Sequence, residues 1–221
     1  MSTQVLPDIP MRVPTVPSRG SDTALQTIGL ASAGLIMTPA EFDALDVCDE
    51  LCRYELIHGV LFVNPLPSHA EVDPNDELGY LLREYRRRHP QGSCLDRTMP
   101  ERFVQTPNSR RRADRVIWAG LGRRPDPAVD VPTIVVEFVS ASRRDWRRDY
   151  VEKRREYGEL GVREYWIIDR FCRAMTVYRH TESGESQVLV AEGDTYRTDL
   201  LPGFELPLAQ LLGIADDWGP T

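Results

Sequence analysis

Seven consecutive residues, Thr133-Ile134-Val135-Val136-Glu137-Phe138-Val139, constrain this chain more than any other feature. The run is nearly all apolar and rich in β-branched side chains. Such a run reads as a strand buried on both faces of a sheet, with helices above and below it. Glu137 interrupts it. An ionised carboxylate left unpaired in an apolar layer is expensive, so it must be paired, protonated, metal-bound or placed at the strand's open end. Ser140-Ala141-Ser142 follows at once, which puts Glu137 near the end where open α/β sheets expose their sites. A salt bridge to an arginine would satisfy it equally well.

The rest of the chain fits around that strand. Thr38-Pro39-Ala40-Glu41 has the form of a capping box with Pro at the first helical position, so a short helix runs from about Pro39 to Asp46. Tyr54–Ile57 and Val60–Val63 flank His58-Gly59, a two-residue hairpin turn. A polar loop over Asn64–Pro74 leads to Asn75–Arg88, where Leu78, Leu81, Leu82 and Tyr85 recur at helical spacing. Ser93–Val104 alternates as an edge strand, and Ala113–Ala119 is a second strand. After the central strand, Arg143–Leu160 reads as a charged helix closed by Gly161. Glu164–Asp169 is a further buried strand. Ala174–Arg179, Gln187–Ala191 and Asp194–Thr198 form an antiparallel tail, and Pro207–Leu212 a terminal helix. The expected fold class is α/β, a mixed α+β sheet with helices on its faces. Residues 1–36, poor in charge and holding four prolines, read as a disordered arm before a domain over 37–214 and a tail over 215–221.

Charge is unevenly spread over the 221 residues. The net charge is −7. Yet the span Arg83–Arg179 holds 23 basic and 14 acidic residues, and the acidic excess lies outside it. A basic middle suits a phosphate-facing surface, and equally a set of solvated helix faces. Of 27 basic residues 26 are arginine, and the one lysine is Lys153. Lysine is a compact point charge that can approach a phosphate or a water, where guanidinium is a broad fork. No apolar stretch is long enough to span a membrane. The weakly polar run Ala24–Met37 has only Arg12 and Arg19 before it, too little for a secretory leader. Cys48, Cys52, Cys94 and Cys172 are too scattered for a disulfide scaffold or a zinc site, and read as reduced thiols of a cytoplasmic protein.

Asp114 lies on the strand preceding Glu137. Adjacent strands would set the two carboxylates side by side, and a divalent cation would relieve their repulsion. Arg110, Arg111 or Arg112 could instead partner Asp114. Asp149, Lys153 and Tyr157 are spaced i, i+4, i+8 and share one helix face. If that face leans over the end of the central strand, Lys153 reaches both acids. A simple Asp149–Lys153 helix pair is the plainer reading.

These residues resemble the PD-(D/E)XK nuclease superfamily, and within it the Uma family of restriction endonucleases. The resemblance rests on Tyr54-Glu55-Leu56-Ile57-His58-Gly59, Asn64-Pro65 with His69 beyond, Arg112-Ala113-Asp114 and Val135-Val136-Glu137-Phe138-Val139-Ser140. It continues through Asp149, Lys153, Tyr157 and Gly161-Val162 to Glu164-Tyr165-Trp166-Ile167-Ile168-Asp169, and so covers about residues 38–212. Two positions depart from the pattern. Ala113 stands where the family has Pro, and Val139 stands where the superfamily has its lysine. The resemblance implies that the lysine has moved to Lys153, in keeping with its being the chain's only one.

What the resemblance implies is a restriction-endonuclease-like core with antiparallel C-terminal strands and a metal-dependent DNA endonuclease, one that many relatives run as a homodimer. Asp114 and Glu137 would hold Mg²⁺ or Mn²⁺ with the Phe138 carbonyl, and Glu55 would add a ligand through water. Lys153 would orient the attacking water. His69, Asp149 and Tyr157 are the candidate substrate contacts, and Arg143, Arg144, Arg147, Arg148, Arg154 and Arg155 could grip a backbone. Two other readings stay open: a non-catalytic nucleic-acid-binding or regulatory protein on the same fold, and a hydrolase of small phosphate esters.

Overall fold

The structure, a computed structural model, describes residues 27–140, 148–182 and 184–219, with side chains from Tyr150 onward in the second stretch. β5 (Ile134–Phe138) is buried at every position, as its apolar run requires. It lies between β4 (Arg110–Ala119), antiparallel, and β6 (Glu164–Asp169), parallel. A parallel neighbour needs a crossover. Here the crossover contains α3 (Arg154–Leu160), entered through a π-helical stretch, Arg148–Lys153. β7 (Ala174–Thr181) and β8 (Gly184–Ala191) extend the sheet antiparallel beyond β6. At the other end stand β1 (Cys52–Ile57) and β2 (Val60–Pro65), joined by His58-Gly59. Both turn residues have positive φ, 49° and 80°, the type I′ geometry that matches strand twist. The path β2-β1-β4-β5-β6-β7-β8, with β3 (Leu95–Gln105) on the other edge of β4, makes a mixed eight-stranded sheet. β9 (Thr195–Tyr196) and β10 (Leu206–Pro207) pair separately.

Two layers cover the sheet. On one face α2 (His69–Arg88) and α4 (Leu208–Asp216) bury Leu78, Leu82, Leu211 and Leu212 against Ile117, Ile134, Val136 and Trp166. On the other, Tyr157 and Val162 pack on Val116, Val135, Tyr165 and Ile167. A third cluster, Phe42, Tyr54, Leu56 and Leu61, sits under α1 (Pro39–Asp43).

Several expectations shift in detail. α1 has its capping box but ends at Asp43. The loop expected over Asn64–Pro74 is cut short, because Ser68 and Glu71 form a second capping box that starts α2 at His69. Pro74 falls inside that helix and costs it one backbone bond. Residues 27–36, expected in the disordered arm, instead run beside β2: the Gly34 amide donates to the Leu61 carbonyl, and the Leu61 amide to that of Leu35. Residues 1–26 lie outside the described residues. α4 continues to Asp216, two residues into the expected tail. Among the described residues no helix is long and apolar enough to cross a membrane, and all four cysteines are free.

Candidate active site

The site lies where one strand edge is shared. β4 gives its whole length to β3 on one side. On the other side Arg110 pairs with Leu56 of β1, and Arg115, Val116 and Ile117 pair with β5. Between these pairings β1 and β5 diverge, and Asp114 stands in the fork. Continuing the Arg115–Val136 register by one residue sets Asp114 opposite Glu137. The ladder has already stopped there, and the Asp114 side chain takes over: its Oδ2 accepts the Phe138 N–H at 2.8 Å.

Strand alternation inverts at the same point. Arg111 and Arg115 are four apart and should share a face. Arg111 instead reaches Glu156 of α3, and Arg115 reaches Asn75 of α2, in opposite layers. Glu101, across from this point on β3, has a positive φ of 53°. Irregular strand geometry of this kind re-aims side chains beside sites.

Asp114 is held from three directions. Besides Phe138, Arg53 Nη1 lies 3.4 Å from Oδ1, and the Asn75 amide donates to the Asp114 carbonyl at 2.9 Å. Glu101 ties the neighbourhood together by pairing with both Arg53 and Arg112. Burial pulls the Arg112 guanidinium below its ordinary pKa, and the charges of Glu55 and Asp114 offset part of that.

Glu137 is buried, at 3% exposure. Lys153 Nζ, 2% exposed by residue, lies 2.9 Å from its Oε1, and the Tyr157 hydroxyl donates to the same oxygen at 3.3 Å. Lys153 also lies 3.5 Å from the Arg112 carbonyl, so it reaches from the end of the π-helical stretch to both β4 and β5. Buried Glu55 accepts the Arg112 N–H at 2.9 Å.

A pocket of about 140 Å³ collects these groups. Arg53, Glu55, Glu71, Arg112, Asp114, Glu137, Phe138, Ser140 and Lys153 are among the residues that line it. Its four carboxylates face three cationic side chains, an excess of negative charge that favours a cation. Among the described residues no three His, Cys, Asp or Glu side chains converge on one point. A pair of carboxylates is still a fitting donor set for Mg²⁺, which keeps several waters and takes only one or two carboxylates from a protein.

The structure thus brings Glu55, Asp114, Glu137, Phe138 and Lys153 to one pocket. It does not bring His69 there. That residue opens α2, and its ring stacks on Trp218 with centroids 4.7 Å apart, because the capping box turns the expected loop into helix. Tyr157 is fully buried and is not among the lining residues; it holds Glu137 from behind instead of facing substrate. The Asp149 side chain lies outside the described residues, as do Arg143, Arg144 and Arg147. Arg154 and Arg155 pair with Glu185 and Glu159. Sequence reasoning missed Arg53, Glu71, Arg112 and Ser140 as lining residues. It also missed Glu156, whose carboxylate takes Arg111 Nε at 2.8 Å and Nη2 at 2.5 Å, with His58 Nε2 at 3.2 Å. Spacing alone gave no signal for Glu101 or Glu156, since both act across more than ten residues of sequence.

The mixed sheet with its added antiparallel strands has the architecture of a restriction-endonuclease-like domain. A solved structure of like fold is described as a putative nuclease of the DUF820 family from Anabaena variabilis. It is 15% identical, with a TM-score of 0.61, over 81% of this chain and 99% of that one. Residues 39–209 match the Uma2 model, described as "Putative restriction endonuclease", and the chain belongs to that family. No curated protein matches it.

Proposed function

We propose that this chain is a divalent-metal-dependent DNA endonuclease of the PD-(D/E)XK type, hydrolysing phosphodiester bonds at the fork of β4. The observation that carries the reading is Lys153. The only lysine of the chain is buried, ion-paired to Glu137 at 2.9 Å, and lines the pocket that also holds Asp114. Family membership and the oxygen-donor set support the same reading.

Asp114 and Glu137 would hold Mg²⁺ or Mn²⁺, with the Phe138 carbonyl as a further donor and Glu55 contributing through water. Bound there, the ion would supply Lewis-acid polarisation of the scissile phosphate and would lower the pKa of a water so that hydroxide forms near neutral pH. The residues do the rest. The Phe138 amide and Arg53 fix the rotamer of Asp114, so the acid is oriented before substrate arrives. The Tyr157 hydroxyl and Lys153 fix Glu137 in the same way. Lys153 places a positive charge where negative charge develops on the phosphate, and it orients the attacking water. Arg53 and Arg112 line the pocket, paired with Glu101, and add positive charge beside the site of the phosphate.

The test is cleavage of supercoiled plasmid and single-stranded DNA with Mg²⁺ or Mn²⁺, comparing the intact chain with Glu137→Gln and Lys153→Met. Cleavage lost in both variants while each still unfolds cooperatively, at a melting temperature lowered by the broken buried pair, is the expected result. Absence of cleavage in every form, with DNA still bound, would replace the enzyme by a non-catalytic binding protein on the same fold. Cleavage that survives in both variants would overturn the residue assignment.

A further inference from the structure

A second concave surface lies between α2 and β3, away from the acids. It encloses about 350 Å³, and Arg83, Arg86, Arg97, Thr98, Met99 and Pro100 line it. Arg83 and Arg86 are one helical turn apart on α2, and Arg97 faces them from β3. All three are exposed. None of the three side chains makes an ion pair or hydrogen bond among the described residues. Most arginines elsewhere do: Arg88 with Glu84, Arg110 with Asp43, Arg123 with Asp130 and Arg197 with Glu205.

The acids nearest in sequence are engaged elsewhere. Glu84 takes Arg88, and Asp96 accepts the Leu121 N–H. Beneath the groove, Arg115 is fully buried and bonds only neutral partners, Asn75 and Thr98. The groove therefore holds positive charge that the protein leaves unneutralised.

We propose that this groove binds the sugar–phosphate backbone of duplex DNA whose neighbouring segment enters the pocket at the β4 fork. The inference rests on the nuclease reading and deepens it. Glu71 at the pocket and Arg83 in the groove are twelve residues apart on one helix, about 18 Å at 1.5 Å per residue. That spans about five base pairs of B-form backbone at 3.4 Å each. Three cations fit three phosphates, and the apolar Met99 and Pro100 offer a surface for the sugars. The helix arginines Arg154 and Arg155, which the sequence offers for this task, are already paired. The free positive charge lies on α2 and β3 instead.

The experiment is fluorescence anisotropy of a 20-base-pair duplex in EDTA, so that no strand is cut, titrated across salt. The intact chain is compared with the triple variant Arg83→Gln/Arg86→Gln/Arg97→Gln. A control, Arg87→Gln/Arg88→Gln, removes charge from the same helix outside the groove. Loss of three phosphate contacts flattens the slope of log K against log salt by about 2 to 3, and weakens binding at least about tenfold near 0.1 M salt. The control should move the slope by less than about 1. Equal slopes for the intact chain and the triple variant, with duplex bound by both, overturn the groove and leave the active site untouched. So does an equal loss in the control, which would make the effect one of net charge. No duplex binding by the intact chain overturns the groove, while the nuclease reading stands or falls by the cleavage test with metal.

Discussion

Glu156→Gln tests whether the Lys153 helix is anchored as described. Arg111 is fully buried on β4, and Glu156 takes two of its nitrogens at 2.8 and 2.5 Å. Burial opposes the charge of Arg111, yet the bonds and charge of Glu156 outweigh it and hold the guanidinium above its ordinary pKa. Removing one partner of a buried pair costs about 3–5 kcal/mol, because the other charge stays desolvated. Two features place this case at the low end. Glutamine keeps one acceptor, and Glu152 lies 3.6 Å from Arg111 Nη2. The expected loss is thus about 3 kcal/mol, or a fall in Tm of about 6–12 °C for a chain of this size. Thermal and urea unfolding measure it, with an unchanged urea slope showing that both states stay comparable. The double variant Arg111→Met/Glu156→Leu should recover most of the loss, since an apolar pair of similar volume avoids the desolvation cost. A drop below about 2 °C in the single variant, against the figure expected from the pair's burial, would refute the reasoning.

Two further outcomes follow from the same geometry. Gly79→Ala, inside α2, should gain about 1 kcal/mol of helix propensity but lose more. The new Cβ would stand 2.6 Å from Arg115 Nη2, and Asn75 and Thr98 hold that guanidinium in place. The net loss should be about 1–2 kcal/mol by overpacking, and a Tm at or above that of the intact chain would show Arg115 free to swing aside. Mg²⁺ at about a hundred times its Kd should stabilise the intact chain by about 2.7 kcal/mol, a rise in Tm of about 5–10 °C. Asp114→Asn should abolish that rise, and an equal rise in both would put the metal elsewhere.

Much of the core was legible because it is local. The apolar run around Glu137 announced a central strand, and the caps at Thr38 and the turn at His58-Gly59 announced their elements. The helix start at His69 was also written in the sequence, as Ser68 and Glu71, but Pro74 made the stretch look like loop. The charged run Arg110 to Arg115 was not legible. It has no alternation to read, since its side chains divide between α2, α3 and the fork. Their partners Asn75, Glu101 and Glu156 lie 11 to 45 residues away. Of the site, the three charged residues with the strongest local peculiarity were readable: an acid in an apolar run, an acid one strand earlier, and a lone lysine. The arginines around them look like the rest of the chain's 26.

The bond from the Phe138 amide to Asp114 carries a consequence for reading relatives. That carboxylate closes the end of a strand ladder whether or not any substrate is ever cut. Folding alone is reason for a lineage to keep an acceptor there, and asparagine or serine could serve. Glu137 and Lys153 likewise neutralise each other within the fold. A relative that retains the two acids has therefore shown only that its sheet closes in the same way. The more telling comparison is substitution that spares the fold: an isosteric amide at Asp114 or a matched apolar pair at Glu137 and Lys153 would mark a lineage that kept the scaffold and gave up the chemistry.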